Sequence, residues 1–302
     1  MGMRLSRRGF IGASAAALAA AGAISAQDAP ARQPVVCVFS KHLQGLSAYG
    51  ALAAQARGLG FDGIDLTVRE GGHVLPGRAA EDLPRAVAAI RAEGLEVPMI
   101  TTRIADGDDP DARPVLEAAA RAGIRHVRVG GHRYPFAGDP IAFLDSLTAK
   151  LRSLASLLEE YGLEAGYHNH SGMLNVGAPV WDLHYLLERV GSEHLGSNFD
   201  LGHAMVEGSY GDWQVTTRLI APRTKMVSVK DFRWAGNKPE WTPLGDGIVP
   251  ITDMLRLLRA ARFRGPVSIH FEYDLGDETA ALEHMRRDVQ TLKSHLSEAG
   301  FA

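Results

Sequence analysis

Residues 141–170 read IAFLDSLTAKLRSLASLLEEYGLEAGYHNH. Apolar side chains recur at helical spacing from Ile141 to Tyr161, Gly162 follows, and a short β-rich run from Glu164 to His168 comes next. A glycine there closes the helix with positive φ at little cost and turns the chain back into a strand. The same order recurs upstream. Gly60 separates the helical stretch Leu46 to Leu59 from the strand Gly63 to Leu66. Gly94 separates Val87 to Arg91 from Val97 to Thr101, and Gly123 separates Val115 to Arg121 from His126 to Val129. Further strands are expected at Val35 to Phe39, Leu195 to Asp200, Lys225 to Lys230 and Val267 to Phe271, with helices at Trp181 to Arg189, Trp213 to Ile220, Ile251 to Ala261 and Ala280 to Leu296. Eight strand–helix units match an α/β fold of the (β/α)8 TIM-barrel type, for which about 250 residues suffice. An open dinucleotide-binding sheet has no support, because no Gly-x-Gly-x-x-Gly follows the first strand.

Composition narrows the function. The 302 residues are 46% hydrophobic and 22% charged, enough apolar content for a large core. Lys and Arg total 32 against 35 Asp and Glu, a net charge of -3, so no broad cationic surface awaits a nucleic acid and none is expected as a partner. Cys37 is the single cysteine, which excludes an intrachain disulfide and leaves any metal to histidine and carboxylate. At the N-terminus, Ser6-Arg7-Arg8-Gly9-Phe10-Ile11 places a twin arginine before an Ala-rich apolar run to Ile24, short of a membrane span. Residues 1–26 therefore read as a twin-arginine signal and residues 27–302 as a single catalytic barrel domain. That reading implies a periplasmic or secreted protein with no stable membrane insertion after cleavage.

In a (β/α)8 barrel the chemistry gathers at the C-terminal strand ends. Seven of the 12 histidines fall there: His42, His73, His132, His168, His170, His203 and His270. Residues two apart on a strand share a side, so Gly166, His168 and His170 align, as do Asn198 with Asp200, Ser228 with Lys230, and Ser268 with His270 and Glu272. Polar groups facing a barrel interior need a function or hydrogen-bonding partners. His168, Asp200 and His270 make two imidazoles and a carboxylate, a set suited to one divalent ion, Mn, Fe, Co or Zn, with positions left for substrate oxygens.

The strings Tyr167-His168-Asn169-His170-Ser171-Gly172, Asn198-Phe199-Asp200-Leu201-Gly202-His203, Val227-Ser228-Val229-Lys230-Asp231 and Gly265-Pro266-Val267-Ser268-Ile269-His270 resemble the xylose isomerase-like TIM barrel family, the sugar phosphate isomerase/epimerase group. The resemblance implies a divalent metal at the barrel top and a small-molecule sugar substrate whose proton next to a carbonyl is moved. The family's usual ligands, a Glu, an Asp, a His and a Glu on strands five to eight, fall on His168, Asp200, Ser228 and His270. Only Asp200 is kept. Both Glu bases of the two-base epimerases are therefore gone.

That altered set, with Glu70-Gly71-Gly72-His73-Val74 and the export signal, resembles a subgroup associated with breakdown of 3-keto-glycosides. The implied reaction removes the proton beside the ketone and expels the glycosidic group by β-elimination, with hydration as a following step. A polarised ketone oxygen stabilises the enolate. A base outside the ligand set must collect the proton; the candidates are His203, His170, Lys230 and Glu272, with His203 preferred because it follows Asp200 by one turn. Lys230 also reads as an ion-pair partner of Asp231 or Glu272, and Glu272 as an anchor for His270 or a fourth ligand; these alternatives stand. For substrate binding the sequence offers His73, Arg103, Trp234 and Trp241. The expected function is a metal-dependent lyase on a keto-sugar glycoside, with a metal-dependent sugar isomerase or epimerase as the alternative and a non-catalytic sugar-binding barrel third.

Overall fold

Eight parallel strands close on themselves in the order β1-β10-β7-β6-β5-β4-β3-β2. They are β1 Val36–Phe39, β2 Gly63–Thr67, β3 Glu96–Thr101, β4 His126–Val129, β5 Glu164–His168, β6 Leu195–Phe199, β7 Thr224–Val229 and β10 Val267–Ile269. The computed structural model describes residues 33–209 and 211–302, so the export-signal reading lies outside the described residues. Helices α1 Tyr49–Leu59, α2 Ala79–Ala92, α3 Ala112–Arg121, α4 Pro140–Tyr161, α5 Trp181–Val190, α6 Leu201–Ala204, α7 Trp213–Ile220, α8 Ile251–Ala260 and α9 Glu278–Glu298 complete the units. All eight expected strands are present, which establishes the TIM barrel.

Local sequence explains the helices. In α4, Pro140 occupies the first turn, the Asp139 side chain accepts from the Ile141 and Ala142 amides, and Gly162 closes the end at φ +66°. Such a cap contributes about 1 kcal/mol. Leu144, Leu147, Leu151, Leu154 and Leu158 recur at three- and four-residue spacing and are buried against the barrel wall. The outward-facing strand residues, among them Val36, Val38, Ile64, Leu66, Val127 and Val129, form the other side of that layer.

The barrel interior is polar. Asp65 on β2 is fully buried and accepts from Thr101 Oγ1 at 2.7 Å and from Ser268 Oγ at 2.9 Å. Ser268 lies two strands away across β1, so this bond runs through the interior. Burial pushes the Asp65 carboxyl up to about 6. The folded protein thus holds that proton more tightly than the unfolded chain, and the stability it supplies is present below about pH 4 and lost as pH rises through about 6. Relative to an Asp65→Asn variant, the wild-type protein is expected to lose stability on the order of 3 kcal/mol between pH 4 and pH 7, read from denaturant midpoints. Parallel pH profiles for the two proteins would remove this assignment.

The loop after β7 departs from expectation. It forms a hairpin, β8 Asp231–Ala235 and β9 Lys238–Thr242, with Phe232 opposite Trp241 and Trp234 opposite Pro239. Gly236-Asn237 is a two-residue turn with Gly236 at φ +65°, a hairpin signal partly concealed by Pro239 within the second strand. Asp231 pins this hairpin. Its carboxylate accepts from the Phe232, Gly245, Gly247 and Val249 amides at 2.8–3.0 Å. A side chain at Gly247 would overlap Asp231 Oδ1 and Phe232 O, so glycine is required there. Asp231→Ala should cost about 3 kcal/mol, because it orphans several amides, and should lower the thermal midpoint by roughly 6–12 °C. An unchanged midpoint would contradict this role.

Candidate active site

Three side chains from the ends of β5, β6 and β10 converge at the barrel top. His168 ends β5, Asp200 follows β6 and His270 follows β10; one ligand atom from each lies within 4.8 Å of the others. All three residues are buried. His168 Nε2, His270 Nε2 and Asp200 Oδ2 are buried with no hydrogen-bond partner, an expensive arrangement for a closed interior and a suitable one for an ion. Burial holds both imidazoles well below their ordinary pKa, so they are neutral and ready to ligate. Burial also raises the Asp200 carboxyl, against the opposing pull of Lys230 and the His203 amide.

Outer contacts orient these groups. His168 Nδ1 lies 3.3 Å from the Asn198 carbonyl, which fits a donated Nδ1–H and leaves Nε2 with its lone pair. Asn169 clasps the end of β6, accepting from the Asp200 amide and donating to the Asp200 carbonyl, each at 2.8 Å. Asp200 Oδ1 accepts from the His203 amide at 2.9 Å and so caps α6, leaving Oδ2 for the site. His270 stacks on Phe39 of β1 with ring centres 4.6 Å apart. Ser228 donates to Asn198 Oδ1 at 3.2 Å, so the seventh-strand position serves the wall of the site.

Beside the cluster lies a second group of ionisable side chains. Lys230, 2% exposed, places Nζ 2.7 Å from His203 Nε2, 3.3 Å from Asp200 Oδ2 and 3.7 Å from Glu272 Oε1. The 3.3 Å contact is an ion pair without hydrogen-bond alignment, and Asp200 Oδ2 stays available. Gly202 makes room, since a Cβ there would sit 2.9 Å from Lys230 Cγ. Asp200-Leu201-Gly202-His203 thus combines a carboxylate of the cluster, a passage for Lys230 and the imidazole that receives it. His203 is engaged at both nitrogens, Nδ1 being 2.8 Å from Ser171 Oγ. Burial is the main reason its pKa falls well below the ordinary value, with Lys230 next. Burial alone would raise the Glu272 carboxyl, but Lys230 and Lys41 hold it below the ordinary range.

The other expected residues divide. His170 is exposed and lies 3.9 Å, ring to ring, from His203. Trp241 meets His203 edge-on at 5.3 Å and lies 5.1 Å beneath Lys230 Nζ, while Trp234 is half-exposed on the outer part of the hairpin. His73 folds back on its own loop, its amide donating to Thr67 Oγ1 and its Nδ1 3.2 Å from the same oxygen. His42 Nε2 accepts from the Phe271 amide, and His132 Nδ1 contacts Tyr167 OH. Arg103 is exposed. Glu272 stands outside the ligand cluster and beside Lys230, and Asp231 is spent on the hairpin amides rather than on Lys230. Sequence reading passed over Phe39, Arg69 and Arg128, which meet in the interior: both guanidinium carbons lie within 5.7 Å of the Phe39 ring centre.

Comparison with known proteins agrees with this architecture. The family described as xylose isomerase-like TIM barrel matches residues 53–295. An uncharacterised protein of Methanocaldococcus jannaschii is 22% identical over 156 residues, 51% of this chain and 52% of that protein, so the chain spans about half the length of this curated relative. A xylose isomerase-like TIM barrel protein from Mycobacterium smegmatis, in complex with magnesium, superposes with a TM-score of 0.62 at 20% identity, covering 82% of this chain and 89% of that one. The 3-keto-D-glucoside 4-epimerase of E. coli gives a TM-score of 0.65 at 15% identity, covering 87% of this chain and 100% of that one. These structural likenesses are likenesses of fold. No helix among the described residues is long and apolar enough to cross a membrane.

Proposed function

We propose, from the premise that this chain belongs to the xylose isomerase-like TIM barrel family, that it is a divalent-metal-dependent carbon–oxygen lyase acting on a keto-sugar glycoside. The observation that carries this reading is the composition of the cluster. Its two flanking positions are imidazoles, His168 and His270, whose free Nε2 atoms face the Asp200 oxygen. They serve as ligands and leave no pair of opposed carboxylates to add and remove protons on two sugar faces. The proton chemistry falls to one side, where Lys230 and His203 sit 2.7 Å apart.

An ion held by His168, Asp200 and His270 supplies a Lewis acid for the substrate ketone. Lys230 and His203 act as one proton-handling pair. Lys230 passes a proton to His203 Nε2 and, as the neutral amine, takes the proton from the carbon beside the ketone; the electrons of that C–H bond form the new C=C bond as the glycosidic C–O bond breaks. The departing oxygen then receives the proton from the same pair. Glu272 and Asp200 keep Lys230 Nζ in place, and Trp241 closes the site beneath it. The coupled pair replaces His203 alone as base, because both His203 nitrogens are already engaged.

The test uses a 3-keto-glucoside deuterated at C2. The lyase reading expects the label to be lost as the aglycone is released. Release of the aglycone with deuterium retained would contradict elimination, and conversion between two sugars with no aglycone released would make the protein an isomerase or epimerase.

A further inference from the structure

Arg128 lies on β4 and Phe39 on β1, with β2 and β3 between them in the sheet. The Arg128 guanidinium carbon is nevertheless 5.7 Å from the Phe39 ring centre, an approach that runs through the barrel interior. Arg69, in the loop after β2, brings a second guanidinium to 5.5 Å from the same ring. Phe39 is in turn stacked on His270, so both cations stand one ring away from the ligand cluster. Among the described residues neither arginine side chain makes an ion pair or a hydrogen bond. Asp65 is near enough to act on both charges, and Asp200 and Glu272 act on Arg128 as well, but among the described residues no carboxylate oxygen comes within ion-pair distance of either guanidinium, and the two oxygens of Asp65 are occupied by Thr101 and Ser268. Burial lowers both guanidinium pKa values, Arg128 to about 10, and leaves it charged at neutral pH. Two half-buried guanidinium groups, with forked donors unused, are costly unless something anionic meets them.

We propose that Arg69 and Arg128 form an oxyanion subsite beside the ligand cluster, and that the sugar substrate carries a carboxylate or phosphate that docks there. The proposal rests on the reading of the cluster as a sugar-processing site and adds the charge of the substrate. Guanidinium forks match both anions bidentately, and both forks lie against the Phe39 ring that also stacks on His270. Arg103, exposed nearby and adding to the lowering of the Arg69 pKa that burial causes, extends the positive field toward solvent.

The experiment is calorimetric titration of metal-stripped and metal-loaded protein with D-glucuronate, D-glucose 6-phosphate, D-glucose and the uncharged methyl ester of glucuronate. At least one anionic sugar is expected to bind roughly 10-fold or more tightly than both neutral ones, with or without metal. Tighter glucuronate assigns a carboxylate, and tighter glucose 6-phosphate assigns a phosphate. Arg128→Met should erase the preference and Arg128→Lys restore part of it. Arg69→Met, at a less enclosed position, reads the same effect if Arg128→Met fails to fold. Equal binding of neutral and anionic sugars, or a preference that survives in folded Arg69→Met protein, would overturn the subsite. Because binding needs no turnover, an anion preference without elimination removes only the lyase reading, and elimination without the preference removes only the subsite.

Discussion

Lys230→Met is expected to lower turnover by roughly 10²- to 10⁴-fold while leaving divalent-ion content unchanged. Lys230 is the cationic hydrogen-bond donor lodged between His203, Asp200 and Glu272, and it is almost wholly enclosed. Methionine matches its length, packs against Trp241 and carries no transferable proton. The ligand atoms remain, because His168, His270 and Asp200 are oriented by Asn198, Phe39 and the His203 amide rather than by Lys230. Single-turnover rates and metal analysis on the same preparation separate the two effects. Turnover within about threefold of wild type would move the proton to His170 or Glu272, against the usual scale of acid–base catalysis.

Asp200→Ala is expected to weaken divalent-ion binding by more than the roughly 10- to 100-fold that losing an outer partner costs, and to abolish turnover with it. The change removes the single anionic ligand of the cluster. It also removes the cap on α6, a loss of about 1 kcal/mol that can blur the reading. Asp200→Asn keeps an oxygen for the His203 amide and gives up the charge, so it isolates the ligand effect. Competition with a chelator of known affinity measures both variants. Wild-type affinity in folded Asp200→Asn would contradict the assignment.

Much of this architecture was legible in the chain. Helices ended by Gly60, Gly94, Gly123 and Gly162 announced the strands that followed, because periodicity and positive φ act locally. His168, Asp200 and His270 were legible for the same reason: each stands at a strand end where alternation decides the side it faces. The contact between Lys230 and His203 was not. It depends on the shifted register between β6 and β7 and on the space left by Gly202, neither of which appears in spacing along one strand. The roles of His42, His73 and His132 were equally hidden, since their partners are a Phe271 amide, a Thr67 hydroxyl and a Tyr167 hydroxyl set by loop packing. Arg128, within the run His-Val-Arg-Val, reads as an ordinary alternating strand residue until barrel closure brings Phe39 across the interior.

The ion at the centre of the account is tested most directly by crystallising the protein with millimolar zinc and recording anomalous scattering at the zinc edge. One peak is expected, about 2.0–2.2 Å from His168 Nε2, Asp200 Oδ2 and His270 Nε2, with at least one further position open to solvent or substrate. Well-ordered crystals with no peak among those three atoms, or with zinc bound elsewhere while they stay empty, would contradict it.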